Sequence, residues 1–236
     1  MQVTTDREKL RQLLLTKSSR RSKRQGFHTG LAAFDEIAPC GCFQYGAVHE
    51  LLWKGRSSSP KSIALLLAKT VQMKNGTIVW SDPKRELYLP ALLAAGINLR
   101  HLILLRCVNH FDMLSALAEC LQNRAVGATV ATLSKLSLID ARRLQLAVER
   151  GGGVGIFMRP FSEATNTHYA AATRWLIQPQ IGDDEIQRWS VELLHGHGGR
   201  IGQAVLLEAD RDSHSLRASE TMANRQTATA KARVSA

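Results

Sequence analysis

The 236-residue chain has little of several things that would assign it quickly. No uninterrupted apolar run approaches the roughly 18 residues needed to cross a bilayer, so no membrane span is expected. The amino terminus carries no apolar signal core, so no secretion is expected. Cysteine is scarce. Cys40, Cys42, Cys107 and Cys120 are too few for a disulfide scaffold and point to a reducing cytoplasm. Acidic side chains are outnumbered, 20 against 31 Lys plus Arg, for a net charge of +11. The rest is ordinary: 44% apolar and 22% charged residues exclude a wholly disordered or fibrous chain. The length suits one full-sized α/β domain or two small ones.

The basic excess is uneven. Residues 1–25 hold eight basic and two acidic side chains, and residues 211–236 hold five and two. The 185 residues between them carry 18 basic and 16 acidic side chains, only +2. The high isoelectric point therefore belongs to the ends. Residues 6–15 read as a short helix with Leu10, Leu13 and Leu14 on one side. Arg20, Arg21, Lys23 and Arg24 follow in a polar, basic linker. Basic ends of this kind attract polyanions weakly and salt-sensitively, so weak, sequence-independent DNA contact is the expectation, with solvated tails as the alternative.

From Gly26 the composition becomes globular. Four apolar runs, 77–80, 101–108, 127–133 and 154–158, lack the alternation of a half-exposed strand. Such strands suit a parallel sheet covered on both faces. Helical patterns lie between them. Residues 61–74 place Ile63, Leu66, Leu67 and Val71 at helical spacing before Asn75-Gly76. Residues 111–122 place Leu114, Leu117 and Leu121 on one stripe. Residues 138–150 follow Ser137, with Asp140 three places on as a capping box, and end at Gly151-Gly152-Gly153. Alternating strand and helix predict an α/β domain with right-handed crossovers. After Pro160 three strands, 175–179, 188–195 and 204–209, follow without helices and predict an antiparallel extension of the sheet. Apolar residues thin out past Asp210, so the expected division is a basic helix and linker at 1–25, one domain at 26–210 and a disordered basic tail at 211–236.

One motif almost exists. Gly55 through Ser62 matches the phosphate-binding pattern G-x-x-x-x-G-K-[ST] between a strand-like run and a helix, except that Pro60 replaces the second glycine. That loop wraps phosphate with backbone N–H groups. Proline fixes φ near about −65° and removes the N–H, although it suits the first turn of a helix. The strand–turn–helix can thus survive while the cradle built on Gly55, Lys61 and Ser62 is lost, and no nucleotide cofactor is expected. An acid for Mg²⁺ is also missing at the end of the 127–133 run. Asp82 and Glu86 follow the 77–80 run, but Lys84 and Arg85 stand between them. Cys40-Gly41-Cys42 has the wrong spacing for zinc and reads as a turn. His195-Gly196-His197 reads as a polar hairpin turn before it reads as a metal site. Arg142-Arg143 would face outward from its helix, as an interaction face or a solvated flank.

Taken together, six segments resemble the RecA-like family, and within it the ImuA branch of mutagenesis proteins and the related SulA cell-division inhibitors. They are Thr29 to Asp35, similar to T-G-x-x-x-L-D with Phe34 in the leucine position; Gly46-Ala47-Val48-His49-Glu50-Leu51; and Ile78-Val79-Trp80 with Leu87 to Leu92 and Ala95-Gly96-Ile97. The others are Arg142 through Gly152, Gly155-Ile156-Phe157-Met158-Arg159-Pro160, and Thr173-Arg174-Trp175. The resemblance covers roughly residues 26–195 and implies a RecA-like fold: a mostly parallel sheet flanked by helices. It implies a non-enzymatic accessory role in SOS-induced translesion synthesis, through contacts with an ImuB-like Y-family polymerase homologue and an error-prone replicative-type polymerase, with RecA as a further candidate partner. It places the protein in the cytoplasm, on the nucleoid when active. It also brings Trp175, Trp189 and the tail into play as partner contacts. A SulA-like division inhibitor and a RecA-like ATP-binding repair protein remain the alternatives.

Overall fold

The unalternating apolar runs lie side by side as parallel strands. A computed structural model describes residues 25–54, 60–73, 76–164, 170–181, 186–210 and 215–219. The strands are β1 (Gly26–Phe27), β2 (Phe43–Gln44), β3 (Ala47–Trp53), β4 (Thr77–Ser81), β5 (Leu102–Leu105), β6 (Val126–Thr132), β7 (Val154–Pro160), β8 (Thr173–Gln180), β9 (Ile186–Gly196), β10 (Ala204–Asp210) and β11 (Leu216–Ser219). The α-helices are α1 (Ala32–Ile37), α2 (Lys61–Gln72), α3 (Leu89–Ala94), α4 (His110–Gln122), α5 (Leu138–Gly151) and α6 (Phe161–Ala164). β1 and β2 pair with each other, and the other nine strands form one sheet in the order β11-β10-β9-β8-β3-β7-β6-β4-β5. From β8 to β5 every pairing is parallel, and from β8 to β11 every pairing is antiparallel. The fold is the expected mixed α/β sheet with an antiparallel extension.

Helices cover both faces of the parallel half, which is why β3 and β7 are buried nearly throughout. α1, α2 and α3 enclose one core with Leu51, Ile78, Val130 and Ile156, and it continues under the extension through Trp175, Trp189, Val191 and Leu207. α4 and α5 enclose a second core with Val48, Ala131, Leu133 and Phe157. The expected stripes are the buried ones: Leu114, Leu117 and Leu121 on α4, and Ile63, Leu67 and Val71 on α2, although Leu66 is only half-buried. Ser137 caps α5 as predicted. Its Oγ accepts from Asp140 N at 3.1 Å and donates to Asp140 Oδ2 at 2.6 Å. α5 stops at Gly152, which holds the left-handed φ of 80° that glycine adopts without strain.

The expected disordered tail began too early. Leu216–Ser219 is a strand, paired with β10 across Glu208↔Arg217 and its neighbours. Leu216 and Ala218 pack on the first core, and Arg217 Nε donates to Glu208 Oε2 at 3.0 Å. A four-residue edge strand needs only two inward side chains, too few to mark it in a polar segment. Glu208 also accepts from Arg188 Nε at 2.7 Å, and that hydrogen bond above all holds its carboxyl below the usual range. The predicted helix at 6–15, the basic linker with Arg20, Arg21, Lys23 and Arg24, and the end of the tail lie outside the described residues.

Candidate functional site

The carboxyl end of β3 and the start of α2, which flank the phosphate-loop-like segment of the sequence, lie where open α/β sheets take ligands. Gly55 lies outside the described residues. Pro60 is buried at φ −76° and ψ 9° directly before α2, and its carbonyl accepts the N–H of Ala64 at 2.9 Å. The proline thus starts the helix, as its fixed φ allows, but offers no N–H to an anion. Lys61 Nζ stands 3.7 Å from Glu86 Oε2, in a pair whose members are both about half exposed and which contributes little to stability. Ser62 is half-buried on the same turn.

Asp82 is buried, and its carboxylate is occupied. It accepts from Glu86 N at 2.9 Å and Leu87 N at 3.4 Å, closing a turn in which Arg85 holds φ at 57°. β6 ends in Thr132 without a carboxylate. Between these groups opens a cleft of about 400 Å³, lined among others by Trp53, Pro60, Lys61, Ser81, Asp82 and Thr132. The Ser81 hydroxyl is buried without a partner among the described residues. Among the described residues the cleft offers a hydroxyl and a lysine already facing a carboxylate.

Three of the segments that carry the resemblance meet in space, on adjacent strands, and build two buried networks that the sequence reading missed. On one sheet face His49 of β3 reaches Thr173 of β8. His49 Nε2 lies 3.1 Å from the carbonyl of Gln44, which can only accept, so Nε2 carries the proton and Nδ1 accepts from the Thr173 hydroxyl at 2.7 Å. Trp175 Nε1 in turn donates to Thr173 Oγ1 at 2.8 Å. Every member of this chain is satisfied with a neutral imidazole. Complete burial, against the edges of Phe27 and Phe43, pushes the His49 pKa down to about 4.

On the other face Glu50 receives Arg159 Nη1 at 3.2 Å and Arg174 Nε at 2.8 Å. Arg159 is 1% exposed and Glu50 6%. The arginines also donate to carbonyls at the end of α6, Arg159 Nη2 to Glu163 O at 3.0 Å and Arg174 Nη2 to Ala164 O at 2.6 Å. The signal was present in the sequence as single charges inside apolar runs, Glu50 before Leu51-Leu52 and Arg159 after Phe157-Met158. A charge in such a position is retained when it is paired.

The remaining candidates separate cleanly. Trp175 is fully buried and Trp189 nearly so. Trp175 stacks within 5.5 Å of Phe43 and meets Phe34 at 4.8 Å. Inward positions on β8 and β9 place both indoles in the core instead of on a contact face. Arg142 and Arg143 are exposed on α5. Cys40 and Gly41 form a tight turn with φ values of 57° and 71°, as the spacing predicts. His195 and His197 stand 5.4 Å apart at the end of β9. Burial first, then His197 and Arg174, lowers the pKa of His195. Among the described residues no three His, Cys, Asp or Glu side chains gather as metal ligands, and no helix is long and apolar enough to cross a membrane.

These features define a class: a mostly parallel α/β protein with a crevice at the carboxyl ends of its parallel strands, beside a helix that Pro60 starts. No family model matches the chain. Protein ImuA of Caulobacter vibrioides, in each of two strains, is 30% identical over 231 residues, covering 86% of this chain and 95% of the relative. The chain belongs to the ImuA family.

Proposed function

We propose that the chain is a non-enzymatic accessory protein of damage-induced mutagenic repair, acting through protein contacts on a RecA-like scaffold. The reading rests on one observation above all: in a member of the ImuA family, Pro60 starts the helix that would otherwise present N–H groups to phosphate. A crevice without that donor, with Lys61 facing Glu86 and Asp82 closing a turn, supports a fold kept for docking rather than for hydrolysis. The partners that fit are an ImuB-like Y-family polymerase homologue and an error-prone replicative-type polymerase, with no nucleotide cofactor.

Deleting the gene tests the role. Damage-induced mutation to drug resistance should fall to the uninduced level, and an unchanged frequency overturns the proposal. Nucleotide binding tests the crevice. The purified chain should show no Mg²⁺-dependent binding at micromolar ATP, and binding that Lys61→Ala abolishes would overturn that part.

A further inference from the structure

We infer that β5, the open edge of the parallel half, takes an extended segment of a partner protein as an added strand, one with an apolar centre and a carboxylate on either side. β5 ends the sheet and pairs only with β4. The Leu105 carbonyl accepts the Asp82 N–H at 2.9 Å. Along a parallel ladder alternate residues turn both backbone groups to the same neighbour, so Ile103 and Leu105 face β4 while Leu102 and Leu104 face outward. The Leu102 N–H closes on the Leu99 carbonyl. The N–H and C=O of Leu104 bond to nothing among the described residues.

Folded proteins blunt such an edge with a proline, a bulge, a charge or a covering element. β5 carries none of the first three: Leu102–Leu105 is apolar throughout and in unbroken register with β4. Ile103, on the face opposite Leu102 and Leu104, is 53% exposed. The charges stand at the two ends of the strand. Arg100 precedes it and Arg106 follows it, both exposed and neither in an ion pair among the described residues. From Leu87 to Phe111 the chain has no Asp or Glu, and β4 has none. Asp82, beside the end of β5, is buried against its own turn. On α4, Asp112 and Glu119 stand seven apart, opposite the buried Leu114 and Leu121, and so on the ridge turned away from the sheet.

These facts select the occupant. Open N–H and C=O groups on an edge call for another strand. A second copy of this chain fits badly. Antiparallel pairing through the outward residues sets Leu102 against Leu104 of the copy and centres on Ile103. Arg100 then meets Arg106 of the copy at both ends, and like charges directly opposite destabilise a strand pair. A partner strand with carboxylates three residues to either side of an apolar residue meets Ile103 at its centre and an arginine at each end. A nucleic-acid backbone would use the arginines but has no strand ladder to offer Leu104, so the peptide is the better fit.

The proposal rests on the contact-based role above and names the surface for it. The test uses the full chain and fluorescence anisotropy with three labelled probes. They are a peptide of Thr with Val at its centre and Glu three residues to each side, its twin with Lys in place of Glu, and single-stranded oligothymidine. The Glu peptide should bind at least about tenfold more tightly than the Lys twin. Arg100→Glu with Arg106→Glu should reverse that preference, a gain that an unfolded variant cannot give. Exchange of the Leu104 amide, followed by NMR, should slow at least about tenfold when the Glu peptide is saturating, since that N–H lies outside the β4 ladder. Equal binding of the two peptides, an unprotected Leu104 amide, or tighter binding of oligothymidine than of the Glu peptide overturns the inference. So does a dimer in sedimentation that Leu104→Pro, which removes the outward N–H, dissociates, because a second copy then holds the edge. If gene deletion abolishes induced mutation but a strain with both arginines reversed mutates normally, this surface fails and the role stands. If deletion has no effect while the Glu peptide still protects Leu104, the role fails and the surface stands.

Discussion

His49 makes the protein's stability depend on pH in a window that its carboxylates do not govern. Its folded pKa is about 4, against about 6.5 in an unfolded chain. The native imidazole therefore refuses a proton that the unfolded chain accepts. Its contribution is complete above pH 6.5 and is lost progressively as pH falls toward 4. The whole difference amounts to about 3 kcal/mol, of which about 2 kcal/mol is lost by pH 5. The cause is specific. Nδ1 faces the Thr173 hydroxyl, itself occupied by Trp175 Nε1, and aromatic edges surround the ring. His49→Gln keeps a donor and an acceptor but does not titrate. Urea denaturation at pH 7.5 and at pH 5 should show the wild type losing about 2 kcal/mol more than the variant between the two conditions. Equal losses would mean that His49 takes up no proton on unfolding, and the reasoning would be wrong. Burial lowers the His195 pKa as well, but equally in both proteins, so its contribution cancels.

Three further outcomes follow from the same contacts. Glu50→Ala leaves Arg159 buried without its carboxylate and should cost about 3–5 kcal/mol by chemical denaturation; a cost below about 1 kcal/mol would show that the guanidinium finds other solvation. Trp175→Ala opens a cavity between Phe34 and Phe43 and removes the Thr173 hydrogen bond, so about 3–5 kcal/mol should be lost in the same assay. Ser137→Ala removes the α5 cap for about 1 kcal/mol, measured as a small fall in the denaturation midpoint without a change in slope.

The parallel half was legible because burial on both faces writes itself into composition. Ile78 to Trp80 and Val154 to Met158 carry no polar side chain, and no half-exposed strand reads that way. The extension was legible as strands but not as an ending. β11 depends on Arg217 lying opposite Glu208, a fact of register that no local pattern carries. The same limit explains the tryptophans. In alternating strands the inward residue and an outward anchor look identical until the twist assigns a side, and Trp175 and Trp189 turned inward. Around the crevice, Pro60 was readable from the sequence because one residue type fixes its own φ and lacks its own donor. Asp82 was not readable, because the two N–H groups it holds belong to a turn with Arg85 in a left-handed conformation. The buried networks escaped for a related reason. Glu50, Arg159 and Arg174 are more than a hundred residues apart or on separate strands, and only strand order brings them together.

Strand β8 is joined to β3 on both sides of the sheet, by His49 and Thr173 on one and by Glu50 and Arg174 on the other. The antiparallel extension is thus no optional appendage. A chain cut before Thr173 would lose the Thr173 hydroxyl that meets His49, one of the two arginines on Glu50, and the indole that fills the first core. The parallel half should therefore fail to fold without it, and native-state hydrogen exchange should report strands β3, β7 and β8 opening together, as one unit.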